Sequence, residues 1–346
     1  MSNNEIPLMQ ALAGQSRTPP PIWLMRQAGR YLPEYREIRK NVTSFLELCF
    51  TPELAIELTL QPIRRFAMDA AILFSDILVI PYALGQKIEF VEGTGPILDP
   101  VRNIDDLRKL SLSAVQERLA PVYETVRGVS AQLPNSIGLI GFAGAPWTVA
   151  TYMVEGGMSR NFANVKRWAY AAPDEFSVLV DILVDTTAGY LIEQVRNGAR
   201  VIQLFDTWAG VLHEDALVRW CLEPTLELAR RVKAVDTNVR VIAFPRGSAT
   251  LYRKYACAPE IDGLSIDHTV ERSWARAELQ PNVTVQGNLD PISLLGGGDQ
   301  MRRQARAILS NFSDGPFIFN LGHGILPETP PDNVARLVDI VRDWNL

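Results

Sequence analysis

Five basic side chains face two acidic ones in PIWLMRQAGRYLPEYREIRK, residues 21–40, within a chain whose net charge is −5. Arg26 and Arg30 bracket Gln27, Ala28 and Gly29. Guanidinium forks grip carboxylates and phosphates through paired charge-assisted hydrogen bonds, each contributing about 1.5–3 kcal/mol. Gly29 breaks a regular helix and allows close backbone approach to a ligand. Gln27 adds neutral donors. The stretch reads as a clamp for an anion; the alternative is that the two arginines are simply solvated or sit in ion pairs with Glu34 or Glu37.

Further candidates lie downstream. Asp76, in LFSDILVIP, is flanked by apolar residues. A carboxylate stays charged there only if it accepts N–H bonds or faces a cation, so Asp76 either caps and pairs within the core or meets a ligand rich in N–H groups. Tyr152 closes GFAGAPWTVATY and is either a packing residue or a site residue. Thr207, after Asp206, reads equally as a ligand contact or a helix N-cap. His323, between two glycines in NLGHGILPETPPDN, has the most site-like setting of the three histidines. No HxH, HExxH or HxC spacing offers a metal site, so no metal is expected. The glycines at 296–298 precede Asp299 and read as a loop leading into a helix.

Some scaffold must gather these residues. Eight short apolar runs recur at 21–25, 70–76, 137–142, 200–206, 239–244, 263–267, 283–288 and 317–322. They are nearly continuous rather than alternating, as strands covered on both faces are. Helical patterns separate them, among them 174–198 and 214–235. Strands with helical crossovers predict a (β/α)8 barrel, with a doubly wound sheet as runner-up, although no GxGxxG follows any strand. A hairpin is expected over residues 86–100, and a single domain over 1–346. The strand ends would then present Arg26, Arg30, Asp76, Tyr152, Asp206, Thr207, Arg246, Asp267, His268, Asn288, Asp290 and His323 at one mouth.

Composition excludes several classes. The acidic balance argues against nucleic acid. Cys49, Cys221 and Cys257 are widely spaced and form no CxxC, so a reducing cytoplasm fits. The N-terminal stretch MSNNEIPLMQALAGQ lacks the pattern of a secretory signal. No apolar run reaches the ~18 residues of a membrane span.

Longer motifs resemble those of the uroporphyrinogen decarboxylase family. PIWLMRQAGRYLPEYR (21–36) is similar to its first signature and GFAGAPWTVATYMVEGG (141–157) to its second. The similarity continues through residues 57–85, LFDTWAG (204–210), VQGNLDP (285–291) and NLGHGILPETPP (320–331). The resemblance implies a barrel, a homodimer with facing clefts, and removal of carbon dioxide from the four acetates of uroporphyrinogen without metal or organic cofactor. It implies that Arg26, Gln27, Ala28, Gly29 and Arg30 contact the tetrapyrrole's carboxylates. Asp76 would accept its pyrrole N–H groups, supported by Tyr152, with His323 also at the site. Thr207 stands where many members carry serine, so the hydroxyl is kept. Arg246 and His268 receive no role. The same superfamily includes cobamide- and zinc-dependent methyltransferases, which need a His/Cys metal set that this chain lacks; a non-catalytic tetrapyrrole carrier is the other rival.

Overall fold

The computed structural model describes residues 6–91 and 93–345. Nine strands form: β1 (Ala70–Ile72), β2 (Ile88–Val91), β3 (Gly95–Leu98), β4 (Gly138–Gly144), β5 (Val201–Asp206), β6 (Arg240–Pro245), β7 (Gly263–Ser265), β8 (Thr284–Leu289) and β9 (Phe317–Leu321). Seven of them make one parallel sheet in the order β1-β4-β5-β6-β7-β8-β9. Each sheet strand neighbours the next in sequence and the order never reverses, which removes the doubly wound alternative.

The sheet is strongly curled, as its interior contacts demonstrate. The Gln286 amide on β8 donates to Gln203 Oε1 on β5 at 3.2 Å, although β6 and β7 lie between those strands. Gln286 also donates to Ser265 Oγ at 3.0 Å and accepts the Trp23 indole N–H at 2.8 Å. Such side chains meet only when the sheet wraps round a common interior. Residues two apart share a strand face, so Phe205 points inward above Gln203.

The run at 21–25 departs from its expected form. It gives an isolated parallel bridge, Ile22 with Phe319, rather than a strand. The cause is local: Pro19, Pro20 and Pro21 supply no N–H to a ladder. The segment still touches both sheet edges. Phe319 N–H donates to Pro21 O at 2.9 Å, and Asp69 N–H, just before β1, donates to Ile22 O at 2.9 Å.

The other runs fall where expected, and β2 pairs antiparallel with β3 as the inserted hairpin. Glu92 and residues 1–5 of the N-terminal stretch lie outside the described residues. Pro173–Arg196 forms one long helix. The second expected helix is interrupted: Glu214–Leu217 and Glu223–Val235 flank a widened turn over Val218–Leu222. Pro224 lacks the N–H that would continue a regular ladder there. All three cysteines are free thiols, Cys49 and Cys221 buried and Cys257 exposed. Among the described residues no helix is long and apolar enough to cross a membrane.

Candidate active site

The Arg26–Arg30 loop is held by its own backbone. Met25 N–H donates to Asn320 Oδ1 at 3.0 Å, and Ile325 N–H to Met25 O at 2.9 Å, which fastens the loop to the exit of β9. The Gln27 side chain is fully buried; it accepts Leu24 N–H at 3.2 Å and donates to Ala70 O at 3.1 Å. The Tyr31 hydroxyl donates to Gln27 O at 2.7 Å. Arg36 donates to the carbonyls of Arg30 and Tyr31 at 2.8 and 3.0 Å. Gln27 thus serves the loop's shape, and its amide does not face the cleft. Ala28 packs against the core, while Arg26 and Arg30 are exposed.

Neither arginine pairs with Glu34 or Glu37, and both are exposed, as solvated arginines would be. Glu34 pairs with Arg65 at 3.1 Å and Glu37 with Lys40 at 2.7 Å. Arg26 also sits at φ 61°, left-handed backbone that a non-glycine residue rarely adopts.

Asp76 follows β1. One carboxylate oxygen accepts Leu78 N–H at 2.8 Å, at the entry to the helix Val79–Ala83, and the other has no hydrogen-bond partner among the described residues. Burial raises its pKa above the ordinary 3.8, opposed by the Leu78 N–H and the Arg26 charge. Tyr152, on the helix Pro146–Glu155, lies close enough to feel both Asp76 and Arg26. Its hydroxyl pKa is raised by burial and by Asp76, against a Trp208 hydrogen bond and Arg26. The hairpin shelters this corner: Leu78, Ile88 and Leu98 form a small apolar cluster against which Ile77, Phe90 and Tyr152 pack.

Thr207 follows β5 and its side chain makes no hydrogen bond among the described residues; the short turn Ala209–Val211 is entered from Trp208, so Thr207 is not a cap. Its neighbours are tightly fixed. Thr148 Oγ1 donates to Asp206 at 2.6 Å and accepts Trp208 N–H at 3.1 Å. Asp206 is buried with the Cys221 thiol beside it, and desolvation pushes its pKa up to about 6.

His323 follows β9. A Cβ on Gly322 would strike the His268 backbone, and one on Gly324 would strike the Arg26 side chain. The two glycines therefore let β7's exit and the arginine loop close on either side of the imidazole. Burial, then Arg26, Arg246 and His268, lower the His323 pKa to about 3, so the ring is neutral at physiological pH. Beneath the mouth, aromatic rings run from Phe142 to Phe205 (5.6 Å between centroids), to Phe244 (6.3 Å) and to His323 (6.4 Å). This floor went unread in the sequence, although each of the three phenylalanines lies within two residues of its strand's end.

Other strand-end residues are structural. Asp267 accepts Gly247 N–H at 2.9 Å, the Tyr252 hydroxyl at 2.9 Å, and both Thr269 donors. Burial alone would raise its pKa, but these donors hold it below the ordinary value. Asn288 donates to Asp267 O and Val270 O, and Asp290 caps the helix Pro291–Gly296. Among the described residues no group of three His, Cys, Asp or Glu side chains is placed to hold a metal.

The site therefore joins a half-buried carboxylate, a neutral imidazole and unpaired guanidiniums over an aromatic floor. The chain matches the Uroporphyrinogen decarboxylase (URO-D) family over residues 3–344. It belongs to that family. A relative from Rhodospirillum rubrum, named uroporphyrinogen decarboxylase, is 52% identical over 99% of this chain and 98% of its own. One of the same name from Chelativorans sp. is 50% identical over 98% of each chain. Among solved structures, a methyltransferase from Methanosarcina mazei superposes with a TM-score of 0.76 at 19% identity, covering 96% of both chains. That likeness describes the fold alone.

Proposed function

We propose that this chain removes carbon dioxide from the four acetate side chains of uroporphyrinogen, giving coproporphyrinogen in porphyrin biosynthesis, without metal or organic cofactor. The observation that carries the reading is Asp76: half-buried, with one oxygen free, beside an arginine loop that lacks counter-ions. A tetrapyrrole with N–H groups at its centre and carboxylates on its rim matches that arrangement in charge.

The chemistry needs a place for two electrons. Protonation of a pyrrole ring carbon gives an iminium-like cation; the bond to the carboxylate then breaks, carbon dioxide leaves, and its electron pair neutralises the ring. A second proton at the exocyclic carbon yields the methyl group, and one ring proton is released, so each acetate consumes one proton net. The pyrrole is its own electron sink, the task that pyridoxal phosphate or thiamine performs elsewhere. Asp76 stabilises the developing cation in a site of low polarity. Tyr152 supports Asp76 from the adjacent helix. Arg26 and Arg30 hold rim carboxylates in register. Neutral His323 and Thr207 offer hydrogen bonds to further carboxylates, and Ala28 and Gly29 keep the loop close to the ligand.

We read the architecture as one domain, a (β/α)8 barrel completed by residues 21–25; the hydrogen bonds from that segment to both sheet edges support this. A homodimer is supported by exposed apolar side chains around the hairpin, Val91, Ile97 and Met158, the last 66% exposed. Three unpaired thiols fit a cytoplasmic setting. The test is anaerobic incubation of purified protein with uroporphyrinogen and no added cofactor, following the porphyrinogens by mass. Stepwise loss of four carboxyl groups supports the reading. A bound but intact substrate would return the protein to the carrier alternative.

A further inference from the structure

We infer that Arg246 is a third carboxylate anchor, holding the side of the macrocycle opposite the Arg26–Arg30 loop. The inference rests on the proposed substrate and extends it to a residue that the family signatures do not include.

Position is the first argument. From the segment 20–25, which hydrogen-bonds to both sheet edges, β6 is the fourth strand in either direction: β1, β4, β5, β6 one way and β9, β8, β7, β6 the other. Arg246 follows β6 immediately, next to Phe244 of the aromatic floor and Pro245. It therefore stands across the mouth from Arg26. A ring with carboxylates around its whole rim cannot be held flat by cations on one side alone.

Rigidity is the second. Arg246 N–H donates to Asp206 O at 3.1 Å, and Arg246 O accepts Gly210 N–H at 3.0 Å. The next residue, Gly247, donates its N–H to Asp267 at 2.9 Å. A Cβ at Gly210 would collide with the Gly247 backbone, so the two loops pack main chain to main chain. The base of the Arg246 side chain is fixed before any ligand arrives.

The unmet charge is the third. Arg246 is half-buried, yet its guanidinium makes no ion pair or hydrogen bond, among the described residues, with any carboxylate. Of the two aspartates at neighbouring strand exits, Asp267 is already engaged by Gly247, Tyr252 and Thr269, while Asp206 accepts Thr148 through one oxygen and forms no ion pair with Arg246 among the described residues. A partly desolvated cation without a counter-ion is unfavourable, and a rim carboxylate of the ligand would neutralise it. His323 lies within the electrostatic reach of both Arg246 and Arg26.

The test compares wild type with Arg246→Met and Arg246→Lys in steady-state decarboxylation of uroporphyrinogen, with thermal unfolding of each protein. The anchor predicts a KM for Arg246→Met raised about ten- to a hundredfold, the range of one charge-assisted hydrogen bond. It predicts kcat within about threefold, an unchanged Tm, and an intermediate KM for Arg246→Lys, which keeps the charge but not the fork. A KM for Arg246→Met within about twofold of wild type overturns the anchor, as does an effect confined to the pH profile. If Arg246→Met does not fold, a KM for Arg246→Lys equal to wild type overturns it equally. Wild-type protein that neither binds nor converts uroporphyrinogen takes the substrate reading down with it, whereas an active wild type with indifferent variants removes Arg246 alone.

Discussion

Arg26 influences the Asp76 carboxyl without pairing with it. The guanidinium lowers the proton affinity of Asp76, but the two form no ion pair, and one oxygen of the aspartate has no hydrogen-bond partner among the described residues. A closed salt bridge would neutralise both groups and leave nothing for a ligand. Kept apart, they offer an anion for a cationic centre and a cation for an anionic rim.

The pH dependence follows from burial. Desolvation raises the Asp76 pKa above 3.8. The role proposed for Asp76 needs its ionised form, so turnover should fall on acidification at a pH above that ordinary value. His323, already neutral down to about 3, should add no limb near neutrality. A pH profile of kcat/KM checks both; a limb near 6.5 that disappears in His323→Asn would contradict the neutral imidazole.

Arg26 combines strain with function. Left-handed backbone at a non-glycine residue costs about 1–2 kcal/mol. Arg26→Gly should therefore unfold at a higher temperature than wild type while its KM rises at least tenfold. A lower Tm for that variant would mean the side chain stabilises the fold and is not reserved for ligand.

The glycines around His323 should separate. Gly324→Ala meets a flexible side chain, Arg26, and should raise KM with Tm nearly unchanged. Gly322→Ala meets the His268 backbone and should lose about 1–3 kcal/mol of stability, by the range for overpacking. Equal losses of stability in both would show that the Arg26 side chain is not free to move.

Asp206 gives a stability signature. Its folded pKa, about 6, lies above the ordinary 3.8, so the native state binds the extra proton and stability falls as pH rises between those values. His323 acts oppositely, being neutral in the native state, which makes stability rise with pH from about 3 to 6.5. Comparing Asp206→Asn with wild type isolates the first term: the variant's Tm should gain on wild type from pH 4 to 6 and hold that gain above. A constant difference across the range would mean Asp206 is ionised throughout.

The frame was legible in the sequence because a parallel sheet buried on both faces writes itself as apolar runs. Seven of the eight runs became sheet strands. The eighth failed where Pro19–Pro21 deny the ladder its donors, a cue that was present and outweighed by the apolar stretch behind it. The break at Pro224 was equally visible. Asp76 and His323 stood out because a polar residue just beyond an apolar run needs a partner, whereas Tyr152, on the helix after β4, was left open by its own setting and gained a role only through the resemblance. Gln27 misled, since an amide beside two arginines reads as a ligand donor while the backbone of Leu24 and Ala70 claims it. The engagement of Asp267 and the charge left on Arg246 depend on contacts between distant strands, which no local pattern encodes.

In the proposed reaction one carboxylate, Asp76, stabilises positive charge that develops only during bond breaking. Single-turnover decarboxylation and equilibrium binding of uroporphyrinogen by Asp76→Asn test it together. The account predicts a rate lower by about a hundredfold or more, binding within about tenfold of wild type, and an intact fold. A variant that turns over at the wild-type rate would contradict it.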